Sequence, residues 1–134
     1  MKEIYEVPEN LRYTSKHEWM KLENEKIAIV GITDYAQKLL KEVVYVELPE
    51  EGKKVVKDES CATVESVKSV SDIFSPISGE ISEINKVLEN EPELINNSPY
   101  EQGWLYRLRI DNKKELDELM DSDQYKKYID KLSE

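Results

Sequence analysis

The sequence predicts a mainly β protein, a sandwich or barrel of short strands with short helices and a helical C-terminus. Three observations carry that prediction. Short apolar or alternating runs recur between residues 27 and 110. Pro49, Gly52, Pro76 and Gly79 punctuate them at places suited to turns. After residue 111 the apolar spacing is that of helices alone.

Taken in order, residues 27–32 read as a buried strand rich in β-branched side chains. Thr33 can cap a brief helix whose inner face is Tyr35, Ala36, Leu39 and Leu40. Residues 43–48 form a second strand, with Val44, Val46 and Leu48 on one side. Pro49 ends it and Gly52 marks the following turn. A third strand, 60–67, sets Ala62, Val64 and Ser66 against Cys61, Thr63, Glu65 and Val67. Residues 70–75 return, stopped by Pro76. Gly79 opens another strand, where Ile81 and Glu83 share a side and Ile84 begins a shifted register. One or two helical turns are expected in 90–97, with Pro92 near their start. From 104 to 110, Trp104, Tyr106, Leu108 and Ile110 oppose Leu105, Arg107 and Arg109. Asn112 and Glu115 have the spacing of a capping box, followed by Leu116, Leu119 and Met120. Ser122 starts a last helix with the stripe Tyr125, Tyr128, Ile129 and Leu132. The reading is one domain over 1–134, with 111–134 as a helical appendage.

The balance of 29 Asp and Glu against 19 Lys and Arg gives a net charge of −10. A chain so acidic lacks the clustered cations that phosphate backbones and anionic membranes require. No apolar run approaches a membrane span. Residues 1–9 lack the features of a signal or transit peptide, so a cytoplasmic protein, or a mature chain already stripped of its targeting segment, is expected, and a monomer. One cysteine, Cys61, rules out an internal disulfide and a cysteine-based zinc site. It falls in an alternating run, where a small buried side chain is expected.

An active site has little to stand on. His17 is the single histidine, and four glycines leave no phosphate-binding loop. No serine lies in a nucleophile elbow. The segment 65–79 is different: two apolar-patterned strands flank a polar stretch centred on Lys68, with Ser66, Ser69 and Ser71 around it. A lysine at such a tip is open to a modifying enzyme. Spacing alone leaves it either a solvated turn lysine or an attachment point.

Residues 65–79, Glu-Ser-Val-Lys-Ser-Val-Ser-Asp-Ile-Phe-Ser-Pro-Ile-Ser-Gly, resemble the lipoylation hairpin of glycine cleavage H proteins. Further motifs are similar in the same order: Ser15-Lys16-His17-Glu18-Trp19, Gly31-Ile32-Thr33-Asp34-Tyr35-Ala36-Gln37, Val46-Glu47-Leu48-Pro49, Pro92-Glu93-Leu94-Ile95-Asn96, and Pro99-Tyr100 to Gly103-Trp104. The resemblance covers roughly 11–132 and implies a flattened barrel-sandwich hybrid of the lipoyl/biotinyl type. It implies that Lys68 carries lipoate in amide linkage, and that Glu65 and Gly79 serve recognition by lipoate ligase or lipoyl transferase. Glu18 and Asp72 match carboxylates that hold the amine of the loaded arm in a surface cleft.

The role implied is a carrier without catalysis of its own. It takes an aminomethyl group from glycine decarboxylase to the aminomethyltransferase, and dihydrolipoyl dehydrogenase reoxidises the arm. A lipoate-relay protein would need the same lysine. A biotin carrier usually places methionines beside it, where this chain has Val67 and Ser69. The chain departs from the family's pattern at Lys41, where glycine is usual, so a different turn is expected after the 34–40 helix. It also departs at Tyr35, where many members have histidine.

Overall fold

The computed structural model describes residues 4–132, so part of the 1–9 stretch and the last two residues of the appendage lie outside it. Among the described residues, nine strands form two antiparallel sheets. The larger contains β1 (Arg12–Tyr13), β2 (Glu18–Leu22), β3 (Ile27–Ile32), β5 (Lys54–Val55), β8 (Gly79–Ile84) and β9 (Tyr106–Ile110), in the order β1-β2-β3-β9-β8-β5. The smaller is β4 (Val43–Glu47), β6 (Ser60–Ser66) and β7 (Val70–Phe74), with β6 in the middle. The sheets pack without closing into a hydrogen-bonded barrel. Helices are α1 (Asp34–Leu40), α2 (Leu94–Asn97) and α3 (Ser122–Leu132).

Two apolar clusters hold this together. Between the sheets, Ala28, Val30, Ile32, Ile81 and Leu108 of the larger meet Val46, Ala62, Val64 and Ile73 of the smaller. A fully buried aliphatic side chain of this kind stabilises by about 1.5–3 kcal/mol. The second cluster joins Val7, Leu11, Tyr13, Trp19, Tyr35, Tyr125 and Ile129, where the N-terminal segment and α3 cover the aromatic side of β1 and β2. Trp19 pairs with Gly31 across the ladder, and a Cβ on Gly31 would lie 2.6 Å from the indole. Only glycine leaves room for that ring.

Several elements differ from the sequence expectation. A bulge between Val43 and Tyr45 turns Val43 and Val46 inward, leaving Val44 42% exposed. In α1, Leu39 is exposed while Asp34 and Gln37 are buried, tied by a 2.8 Å hydrogen bond from Gln37 Nε2. Leu132 extends past the packed part of α3 and is exposed. The helical turn expected in 90–97 is α2, and a 3-10 turn that was not expected, Lys86–Glu89, precedes it. The shift expected in 79–84 is present as a bulge between Ile81 and Glu83.

Asn112 caps a 3-10 helix, Lys113–Glu118, by accepting from Lys114 N at 3.0 Å, but no capping box forms. The Glu115 carboxylate instead accepts from Ser78 N and Oγ at 2.8 and 3.0 Å. That contact ties the appendage to the start of β8. After α1 the cap residue lies outside the left-handed helical region, with ψ −144°. Lys41 takes φ 69°, a conformation suited to glycine. Its N–H donates to Gln37 O at 3.0 Å, and its carbonyl accepts from Asn96 Nδ2 at 2.7 Å.

Candidate functional site

The β6–β7 hairpin ends in Val67, Lys68 and Ser69, all exposed. Its inward residues Ala62, Val64 and Ser66 are small, which lets the hairpin lie close over the larger sheet. Ser66, 5% exposed, organises the tip. Its Oγ accepts from Lys68 N at 3.1 Å and Ser69 N at 3.0 Å, and donates to Ser69 O at 3.2 Å. Ser66 N donates to Ser69 O at 2.8 Å and Val67 N to Glu42 O at 3.0 Å. The tip backbone is thus fixed from beneath while the Lys68 side chain stands in solvent. The sequence reading noted Ser66 only as a small neighbour; the pattern of serine two residues before a turn was the available signal.

Glu65 is exposed on the outer face of β6, with Tyr45 and Val70 as its cross-strand neighbours. Gly79 is buried between β5 and β9, away from the tip in the ladder. A Cβ there would run into the Arg109 carbonyl oxygen and lie 3.2 Å from Leu108 Cδ2. Gly79 therefore has a steric reason to be glycine, independent of recognition.

Glu18 is buried at 1% exposure. Its carboxylate accepts from Thr14 Oγ1 at 2.6 Å and from Phe74 N at 3.2 Å. Burial pushes its pKa up, against the pull of those two hydrogen bonds and of Lys16. Lys16 Nζ lies 3.8 Å from the centre of the Phe74 ring. Asp72 is exposed, pairs with Thr63 across the hairpin, and accepts weakly from Ser60 Oγ at 3.4 Å. Period-two alternation points Asp72 away from Ser71 and Ile73.

Those last two residues line a groove of about 120 Å³, with Lys16, His17, Ile32, Ala36, Leu39 and Leu40. The groove begins three residues after Lys68, about 10 Å along an extended strand. Neither Glu18 nor Asp72 is among its lining residues. His17 forms part of its wall and holds φ 74°. Its Nδ1 shares a 2.8 Å hydrogen bond with Tyr125 Oη, which also meets Thr33 Oγ1 at 2.8 Å. Burial lowers the His17 pKa to about 4, so the imidazole is neutral at pH 7. The Tyr35 ring lies 4.6 Å from the His17 ring, tilted by 44°, and belongs to the aromatic cluster. Sequence reasoning did not connect α3 to this wall, because the contact spans 108 residues.

The Cys61 thiol donates to Tyr106 Oη at 3.2 Å, and burial pushes its pKa up, away from the reactive thiolate. Among the described residues, no group of three or more His, Cys, Asp or Glu is arranged to hold a metal ion, and no helix is long and apolar enough to cross a membrane.

Comparison with known proteins points one way. The model of the glycine cleavage H-protein family matches residues 11–132. The glycine cleavage system H protein of Alcanivorax borkumensis is 54% identical over 125 residues, covering 93% of this chain and 97% of the relative. That of Coxiella burnetii is 49% identical over 125 residues, with 93% and 96% covered. The crystal structure of a glycine cleavage system H protein from Mycobacterium marinum superposes with TM-score 0.78 at 35% identity, over 89% of this chain and 95% of that one.

Proposed function

The chain belongs to the glycine cleavage H-protein family, and on that premise we propose that Lys68 is the residue through which it carries lipoate. Such a protein is a non-catalytic lipoyl carrier that works with the other components of the glycine cleavage system. The observation that carries the assignment to Lys68 is its mount: an exposed lysine on a backbone fixed by Ser66. A modifying enzyme meets one conformation of the tip, so little ordering cost attends recognition.

Lipoate supplies a disulfide–dithiol pair able to take up, deliver and be reoxidised after passing on an aminomethyl group. This chain's residues tether, shelter and present it. The groove fits the apolar part of such an arm, through Ile32, Ala36, Leu39, Leu40 and Ile73. Glu18 suits the loaded amine, because a buried carboxylate with a raised pKa gains from a cation brought beside it. It follows His17 in the chain and binds the amide of Phe74, the neighbour of Ile73. Asp72, the other carboxylate proposed for the amine, stands on the outer face of the hairpin and so meets it only where the arm leaves the groove. Glu65 and the surroundings of Gly79 are the contacts proposed for lipoate ligase or lipoyl transferase. The partners proposed for the loaded carrier are glycine decarboxylase, the aminomethyltransferase and dihydrolipoyl dehydrogenase, in the cytoplasm. Tethering keeps the arm at high effective concentration at each of them.

The test is exchange of bicarbonate into glycine by glycine decarboxylase, with the lipoylated chain as sole carrier. Exchange is expected with the wild type and absent with Lys68→Arg. A wild type that supports no exchange, yet passes its lipoyl group to an acceptor domain, is a relay protein instead.

A further inference from the structure

We propose that the outer face of the β4-β6-β7 sheet is the docking platform for the enzyme that acylates Lys68, a partner with apolar pockets for Tyr45 and Val70 and with lysine or arginine for the carboxylates between and around them. The inference rests on Lys68 being the attachment point. Three side chains lie in register across this face: Tyr45, Glu65 and Val70. Tyr45 is 53% exposed and Val70 65%, and Val67 at the tip is 67% exposed. With strands about 4.8 Å apart, Tyr45 and Val70 flank Glu65 in a row roughly 10 Å wide beside Lys68. An exposed aromatic with aliphatic neighbours is the composition of an interface centre.

Charge indicates what covers it. Glu47 and Asp72 occupy the next row on either side of Thr63, and Glu42 lies behind the tip. Some carboxylates elsewhere are neutralised, as Glu23 and Glu83 are by Arg107, Asp34 by Lys38 and Glu59 by Lys53. Among the described residues, Glu42, Glu47, Glu65 and Asp72 are in no such ion pair. A basic rim would complement them and speed encounter.

The acylating enzyme is the occupant because it alone meets Lys68 before any arm exists. A bare lysine brings its amine only a few ångströms beyond the backbone, so that enzyme must close on the tip itself. Later partners can meet the extended arm at a distance. The hairpin's alternation also separates the two tasks: Ser71 and Ile73 face the groove, while Val70 looks outward.

The experiment measures kcat/KM for lipoylation of the full chain by a lipoate–protein ligase with ATP and lipoate. Tyr45→Thr combined with Val70→Thr keeps β-branched residues in both strands. It is expected to lower kcat/KM at least about tenfold, with an unchanged circular dichroism melt. Tyr45→Phe should restore most of the loss. Glu47→Lys with Asp72→Lys should slow the reaction and weaken its dependence on salt. Leu22→Thr, an exposed position on β2, should change nothing. If the wild type takes lipoate on Lys68 and the Tyr45/Val70 variant does so equally fast, the platform is refuted and the attachment site stands. The same holds if that variant is slow only with glycine decarboxylase. If the wild type takes no lipoate, the attachment reading itself fails.

Discussion

Gly79→Ala separates sterics from recognition. The new methyl group would overlap the Arg109 carbonyl oxygen and press on the carbonyl carbon at 3.1 Å. Neither atom belongs to a side chain that can swing away. Relief requires β8 and β9 to part where Gly79 faces Ile110 and Glu80 faces Arg109. Overpacking of this kind costs about 1–3 kcal/mol, and one or two weakened ladder hydrogen bonds add about 1 kcal/mol each. The expected loss is therefore about 2–5 kcal/mol, or roughly 10–15 °C in Tm for a chain of this size. Urea unfolding followed by tryptophan fluorescence measures it. Lipoylation assayed on the same preparation should fall no further than the displaced strand explains, with Ser in place of Ala giving a similar loss. A Gly79→Ala protein with wild-type stability and abolished lipoylation would refute the steric argument and return Gly79 to direct recognition.

Ser66→Ala removes the acceptor for Lys68 N and Ser69 N at a solvent-accessible tip. A global loss of about 1 kcal/mol is expected, with amide-exchange protection falling first at those two residues. Retained protection there would show that the tip is ordered by something else. His17 has a folded pKa of about 4 against an ordinary value of 6.5, so the unfolded chain binds more protons between those values. Stability is full above pH 6.5 and declines as pH falls toward 4. After discounting for the exposed part of the ring, the decline is about 1–2 kcal/mol. NMR titration should place the His17 midpoint near 4, and His17→Gln should flatten this part of the pH profile; a midpoint near 6.5 would contradict the buried, Tyr125-bonded imidazole. Lys41→Gly relieves a positive φ and should stabilise by about 1 kcal/mol, read as a higher urea midpoint. No gain would mean that the Lys41 side chain offsets the strain.

The parts of the fold that were readable from the sequence share one physical feature, a side chain whose environment alternates with position. In β6, small apolar Ala62 and Val64 alternate with polar Thr63 and Glu65, because one face packs and the other meets water. β2 gave no such signal: Glu18, Trp19 and Met20 are consecutively buried, since α3 and the aromatic cluster cover the face that the sheet core leaves. β5 is two residues long, too short to show a period. Glu115 sits at the right spacing for a capping box, but a partner distant in sequence, Ser78, takes its carboxylate. In the candidate site, Lys68 and Glu65 were visible as residues of a patterned hairpin. The lock formed by Ser66 was not, since a serine is only small and polar until the turn brings it three partners. Nor was the separation of Glu18 from Asp72. Both are carboxylates in matching motifs, yet one is buried against Thr14 and Phe74 and the other faces solvent.

The central claim is that one lysine of this chain is the attachment point for lipoate. Intact-mass analysis after incubation with a lipoate ligase, ATP and lipoate tests it most directly. The account predicts a single lipoyl adduct, mapped to Lys68 and absent in Lys68→Arg. An unmodified wild type, or an adduct that survives the Lys68→Arg substitution, would contradict it.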